Sequence, residues 1–219
     1  MNIDLRVYAL VDPAVAGGRS LPALTALIVE SVTLVQLRDK HGSTRVMIEE
    51  ARDIAAVLKP RGTPLLINDR IDVALAAKAD GIHIGWDDMS TADARRLLGP
   101  DAIIGLSIKS MEEAQAAPLE LLNYVAIGGV YATTSKDNTS APIGTSGLRA
   151  IAAAIRARKA GMPICAIAGI DANNAAEVIA AGADGVAVIS ALSMAKDPAV
   201  AAGDLRGVVD VALKKRGAA

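Results

Sequence analysis

Short apolar runs and longer amphipathic stretches alternate along this chain from one end to the other. The short runs cover residues 5–11, 33–37, 64–67, 81–84, 102–106, 124–127, 163–168 and 185–189. Most are hydrophobic at every position and not at every second one, the pattern of strands covered on both faces. Between them the apolar residues return to helical spacing. Residues 43–58 carry Val46, Ile48, Ala51, Ile54, Ala55 and Leu58, with Ser43-Thr44 in front and Pro60 just beyond. Comparable patterns predict helices over 68–78, 91–98, 111–122, 147–159, 172–181 and 204–216. Two stretches, Lys78-Ala79-Asp80-Gly81 and Gly182-Ala183-Asp184-Gly185, end a helix and deliver the chain into the next strand. Glycine there is expected to take the positive φ of a helix C-terminus.

This alternation predicts a parallel sheet with helical crossovers. Eight repeats in one chain of this length fit an α/β fold of the (β/α)₈ type, a TIM barrel, as a single domain over residues 1–219. The competing arrangement is a doubly wound Rossmann sheet. It lacks support, because no Gly-x-Gly-x-x-Gly follows the first run and Gly17-Gly18 does not supply one. A barrel of this type binds ligands at the C-terminal ends of its strands, so the polar residues closing each apolar run are the candidates for chemistry.

The second run closes as Gln36-Leu37-Arg38-Asp39-Lys40. Gln36 and Arg38 share a side at period two, which turns Leu37 toward the helices. Two cations and an amide could grip a diphosphate and a heteroaromatic edge, or form a solvated charge run. The third run closes as Asn68-Asp69-Arg70 and the fourth as His83-Ile84-Gly85-Trp86-Asp87-Asp88. Asp69 and Asp88 at adjacent strand tips could share a Mg²⁺ ion, or each could cap the helix that follows. His83 alternates with Gly85 and reads as an inward-facing structural histidine; His41 carries a weak signal. Ser107 ends the fifth run. The stretch from Gly128 to Lys136 is glycine, hydroxyl and lysine, an anion contact or a surface loop. The length of the connection, to about Ser146, points to a lid or binding loop. Gly169 and Ser190 end the last two runs, where barrels often hold a phosphate on backbone N–H groups.

Composition changes this picture little but excludes much. Of 219 residues 52% are hydrophobic and 2% aromatic, so the core must be aliphatic. With a formal net charge of -1 and no basic tail, a nucleic acid is not expected as a principal partner. Cys165 stands alone in an apolar run and reads as a buried strand cysteine. The first apolar run is short and closes at a turn, unlike a signal peptide, and no stretch has membrane-spanning length. A cytoplasmic protein without membrane partners is expected. The exposed aliphatic helix faces leave a homodimer open.

Taken in order, VQLRDK, INDRIDVALAAKADGIHIG, the following Asp87-Asp88, IGLS, YATTSK, AIAGI and GVAVIS resemble the thiamine phosphate synthase family over nearly the full chain. The resemblance implies a Mg²⁺-dependent transferase that joins a hydroxymethylpyrimidine diphosphate to a thiazole phosphate, releasing diphosphate. It implies that Gln36, Arg38, Lys40 and Asn68 contact the pyrimidine diphosphate and that Asp69 and Asp88 hold Mg²⁺. Ser107 and Lys136 are implied as further contacts to the pyrimidine or its diphosphate, and with Arg38 and Lys40 they form the catalytic set. Thr133, Ser135, Gly169, Ile189 and Ser190 are implied as the cradle of the thiazole phosphate. The chain departs from the family pattern at Trp86, usually Gln, at Ile108-Lys109, usually Thr-His, at Gly129, usually Pro, and at Ala168, usually Gly. Two alternatives remain: a thiazole tautomerase on the same barrel, and a non-catalytic phosphometabolite-binding protein. Tautomerases of this scaffold tend to lose the second metal carboxylate and to carry a histidine after the sixth strand. Here Asp88 is present and Gly129 stands in that place, which favours the synthase.

Overall fold

In a computed structural model that describes residues 3–133 and 141–217, the eight expected strands close into one parallel barrel. They are β1 (Val7–Val11), β2 (Leu34–Leu37), β3 (Leu65–Asn68), β4 (Gly81–Ile84), β5 (Ile103–Ile108), β6 (Tyr124–Ile127), β7 (Ile164–Ile167) and β8 (Gly185–Val188). Each pairs with its sequence neighbours, and β8 closes on β1 through Tyr8 opposite Ala187. The fold is a (β/α)₈ TIM barrel.

The helices are α1 (Leu21–Ile28), α2 (Thr44–Leu58), α3 (Ile71–Ala77), α4 (Thr91–Leu98), α5 (Met111–Ala116), α6 (Gly144–Arg158), α7 (Ala175–Ala180), α8 (Ser190–Ser193) and α9 (Pro198–Arg216). Several of them depart from the sequence reading; the short α8 has no counterpart there, and α6 and α7 begin about one turn from where they are expected. The first, α1, has no counterpart there: it is short and apolar almost throughout, so its buried stripe of Leu21, Leu24, Thr25 and Ile28 does not stand out. The expected helix 111–122 stops at Ala116, because Ala117 turns extended ahead of Pro118, and a 3₁₀ turn follows over Leu119–Leu121. The expected helix 68–78 begins only at Ile71, since Asn68 still belongs to β3. The last helix starts at Pro198 and not near 204; Asp197 caps it by accepting from the Ala199 and Val200 N–H groups.

Inward and outward positions alternate along every strand. Tyr8, Leu10, Leu34, Leu66, Ile103, Tyr124, Cys165 and Ile189 fill the barrel, while Val35, Leu37, Ile67, Ile82 and Val125 join the shell under the helices. Gln36 follows the parity of Leu34 and lies inside. Cys165 is a buried strand cysteine, as its apolar setting indicates.

At the N-terminal end the barrel is tied by a repeated device. The residue just before each even-numbered strand turns its side chain onto the first N–H groups of the preceding odd-numbered strand. Thr33 Oγ1 accepts from Val7 N at 3.2 Å, Asp80 Oδ2 from Leu65 N at 2.8 Å, Asn123 Oδ1 from Ile104 N at 2.9 Å and Asp184 Oδ2 from Ile164 N at 2.9 Å. These donors lie at the first or, for Ile104, the second residue of their strands, where the side chain satisfies them. The two similar stretches 78–81 and 182–185 therefore share their Asp for a reason unrelated to helix ends. The glycine expectation holds for Gly182, at φ +119°, but at the earlier site Lys78 itself takes the left-handed turn, at φ +56°. Among the described residues no helix is long and apolar enough to cross a membrane.

Candidate active site

At the opposite end, all eight strands deliver residues to one cavity of about 1130 Å³. Arg38, Lys40, Asn68, Asp69, Asp88, Ser107, Thr133, Gly169, Ile189 and Ser190, all expected from the sequence, line it. Ser135 and Lys136 lie outside the described residues, as do residues 134–140 of the connection read as a lid. Gln36 is the exception among the described candidates. It sits one inward position below Arg38, 1% exposed, and is not part of the cavity wall.

The cations are held by acids of the same site. Arg38 Nη1 donates to Asp12 Oδ2, and Asp12, 2% exposed, also accepts from Ala14 N at 2.9 Å. Asp12 closes the first apolar run and lines the cavity, yet it escaped the sequence reading. The rule that found the others, a polar residue just past a strand, would have found it as well. Lys40 Nζ pairs with Asp69 Oδ2, which also accepts from Asn68 Nδ2 at 2.6 Å. Asp69 takes a left-handed backbone at φ +60°, and its N–H donates to the His83 carbonyl at 2.9 Å, locking the tip of β3 to β4. Asp88 folds back so that its Oδ2 accepts from Gly85 N at 2.7 Å.

Neither carboxylate caps a helix: the cap position of α3 is Arg70, and α4 is capped by Ser90. The capping alternative is thereby removed. Burial pushes the Asp69 carboxyl up from its ordinary value and the neighbouring Asp88 adds to this, while Lys40 opposes both. Two carboxylates this close repel each other unless a cation lies between them. Among the described residues no group of three or more His, Cys, Asp or Glu could hold a metal ion. The pair suits a hard divalent ion that completes its shell with water and phosphate oxygens, and not a metal held by protein ligands alone.

Below this rim the barrel is polar. His83 faces inward and is hydrogen-bonded through both ring nitrogens, Nδ1 to Tyr124 Oη at 2.8 Å and Nε2 to Ser107 Oγ at 2.9 Å. Tyr124 Oη also meets Tyr8 Oη at 2.9 Å, and Gln36 Nε2 donates to Tyr8 Oη. Burial raises both phenols, so they stay protonated.

Of the positions that depart from the family pattern, Ile108 is buried in the shell under the helices, while Trp86, Lys109, Gly129 and Ala168 reach the cavity. Trp86, 42% exposed, and Lys109 stand on its wall. Ala168 adopts φ +95°, a backbone that favours glycine, and its carbonyl accepts from Tyr131 N at 3.1 Å. Next to it Gly169 has no room for a side chain: a Cβ would lie 2.4 Å from the Ala132 carbonyl oxygen. The loop after β6 is thus seated directly on the loop after β7.

Fold and site together define a barrel enzyme whose polar chemistry is gathered at the C-terminal strand ends. The family model described as thiamine monophosphate synthase matches residues 7–192. The thiamine-phosphate synthase of Agrobacterium fabrum is 49% identical over 98% of both chains, and that of Chloroflexus aurantiacus 46% identical over 97% of this chain and 96% of its own. The solved structure of thiamine phosphate pyrophosphorylase from Pyrococcus furiosus superposes with a TM-score of 0.83 at 32% identity, covering 97% of this chain and 98% of that one. This chain belongs to the thiamine monophosphate synthase family.

Proposed function

We propose that the chain condenses hydroxymethylpyrimidine diphosphate with a thiazole phosphate, yielding thiamine phosphate and diphosphate, and that it does so with Mg²⁺. The observation that carries this reading is one continuous cavity with unlike ends. Arg38, Lys40 and the Asp69–Asp88 pair lie on the β2–β4 side, and Gly169, Ile189 and Ser190 lie on the β7–β8 side. The first end suits a diphosphate and the second a phosphate monoester.

Arg38 enters the cavity with its orientation set by Asp12, and Lys40 is carried beside Asp69. Both cations bind and neutralise the diphosphate as it leaves. Asp69 and Asp88 would hold Mg²⁺, which would supply further charge neutralisation to that leaving group. The thiazole nitrogen attacks with its own lone pair and requires no base. Fittingly, His83 has both nitrogens committed to hydrogen bonds within the barrel. What remains for the protein is orientation: each substrate is held by its charged end so that nitrogen and carbon meet. The reaction is placed in the cytoplasm, where phosphorylated metabolites that do not cross membranes unaided are retained.

The test is product formation from both substrates, with and without Mg²⁺. Mg²⁺-dependent thiamine phosphate and free diphosphate are expected. Asp69→Asn and Asp88→Asn should each lower turnover by about 10²-fold or more. Near-native activity with unchanged Mg²⁺ response in both variants would overturn the metal assignment.

A further inference from the structure

Four side chains from four strands form an unbroken hydrogen-bonded line across the barrel beneath the cavity, ending on a fifth. It runs from Gln36 on β2 through Tyr8 on β1, Tyr124 on β6 and His83 on β4 to Ser107 on β5. The interior is built to admit it. Tyr8 and Tyr124 meet edge to face with ring centroids 5.9 Å apart, and His83 stacks on Tyr124 at 5.6 Å. Gly105 leaves the space that the Tyr124 ring fills, since a Cβ there would lie 2.0 Å from Tyr124 Cζ.

Such a line has a direction, because each phenol owns one proton. Gln36 Nε2 can only donate, so Tyr8 Oη accepts from it and has its own proton for Tyr124. Tyr124 Oη accepts that proton and turns its own toward His83 Nδ1. His83 Nδ1 is then an acceptor, which puts the imidazole proton on Nε2, facing Ser107 Oγ. Ser107 accepts, and its hydroxyl proton is left to point into the cavity that Ser107 lines. With the Gln36 amide nitrogen on Tyr8, reversing the Tyr8–Tyr124 or the Tyr124–His83 link would bury a phenolic proton without an acceptor, at a cost of about 1–3 kcal/mol. At the other end Gln36 Oε1 is buried without a partner among the described residues, an acceptor left open.

We infer that Tyr8, Tyr124 and His83 are positioning residues that fix the hydrogen-bonding sense of the site floor, making Ser107 a donor and leaving Gln36 an acceptor. A ligand that offers an acceptor to Ser107 matches this sense, and a ring nitrogen of an aminopyrimidine is such an acceptor. That last step rests on the proposed function; the polarity of the line does not.

The experiment reads the two parts separately. Nitrogen NMR of the ligand-free protein, which has only two histidines, reports the His83 tautomer without any turnover. The wild type should show the proton on Nε2. Tyr124→Phe, which removes the donor facing Nδ1, should admit a detectable fraction of the other tautomer, while Tyr8→Phe, which leaves that donor in place, should not. Kinetically, Tyr124→Phe should lose about tenfold in kcat/KM for the pyrimidine diphosphate while KM for the thiazole phosphate stays put. A wild-type proton on Nδ1, or a tautomer unmoved by Tyr124→Phe, would sink the proposal even if activity fell. If the wild type makes no thiamine phosphate, the functional reading fails and the tautomer alone judges the line.

Discussion

At the scale of single residues, two of the three described non-glycine residues with a left-handed backbone belong to the site. Asp69 at φ +60° and Ala168 at φ +95° stand on the cavity wall, and each presents its neighbours to it. Ala168 occupies a conformation that costs a non-glycine residue on the order of 1–3 kcal/mol. Glycine would remove that cost and return about 0.5–1 kcal/mol of it as chain entropy. Ala168→Gly is therefore expected to stabilise the protein by about 1 kcal/mol, read by chemical denaturation; a variant less stable than wild type would mean that the Ala168 methyl packs favourably. The sequence already marked Ala168 as unusual. Only its φ angle explains why glycine belongs there.

At the scale of elements, strands were easier to see than helices. Buried strands of four or five aliphatic residues announce themselves as continuous runs. The helices of this chain are alanine-rich and several are short, so their apolar stripes blur and their ends depend on local chemistry. Pro118 ends α5 early and Asp197 starts α9 early, both by rules visible in the sequence but outweighed there by the longer apolar pattern. Strand β5 illustrates the reverse. Its run was read to residue 106, yet pairing with β6 carries it to Ile108 and puts Ser107 within the strand, opposite Ala126. On the same strand Gly105 faces the Tyr124 ring, which is fully buried and held by two hydrogen bonds. Gly105→Ala should cost about 1–3 kcal/mol by overpacking. Unchanged stability on denaturation would show that β5 and β6 can part without penalty.

At the scale of the whole molecule, the barrel separates stability from chemistry by its two ends. The cavity occupies one end; the ties from Thr33, Asp80, Asn123 and Asp184 occupy the other. Asp184 does more than its counterparts. Its carboxylate also accepts from Arg156 of α6 at 2.9 Å and Arg216 of α9 at 2.7 Å, joining two helices to the start of β7. Asp184→Ala should lower stability by about 2 kcal/mol, as hydrogen bonds to a charged group and a strand donor are lost together. The kcat/KM of the folded fraction should stay at the wild-type value. A large loss of kcat/KM with intact stability would contradict this division of labour.

What the sequence determined by itself is the barrel and most of its rim. Continuous apolar runs of this length read as doubly covered strands. Eight of them alternating with helices, without a dinucleotide fingerprint, favour a closed barrel over a doubly wound sheet, and the polar residue past each run then stands at the mouth. Only the tertiary structure decided which of those residues meet. The pairing of Arg38 with Asp12, the closeness of Asp69 to Asp88 and the line from Gln36 to Ser107 each join residues from different strands. Their distances follow from barrel closure and strand stagger, which no local pattern records. The sequence likewise showed that Gln36 faces inward, since parity is local, but its depth below the cavity is a property of the closed barrel.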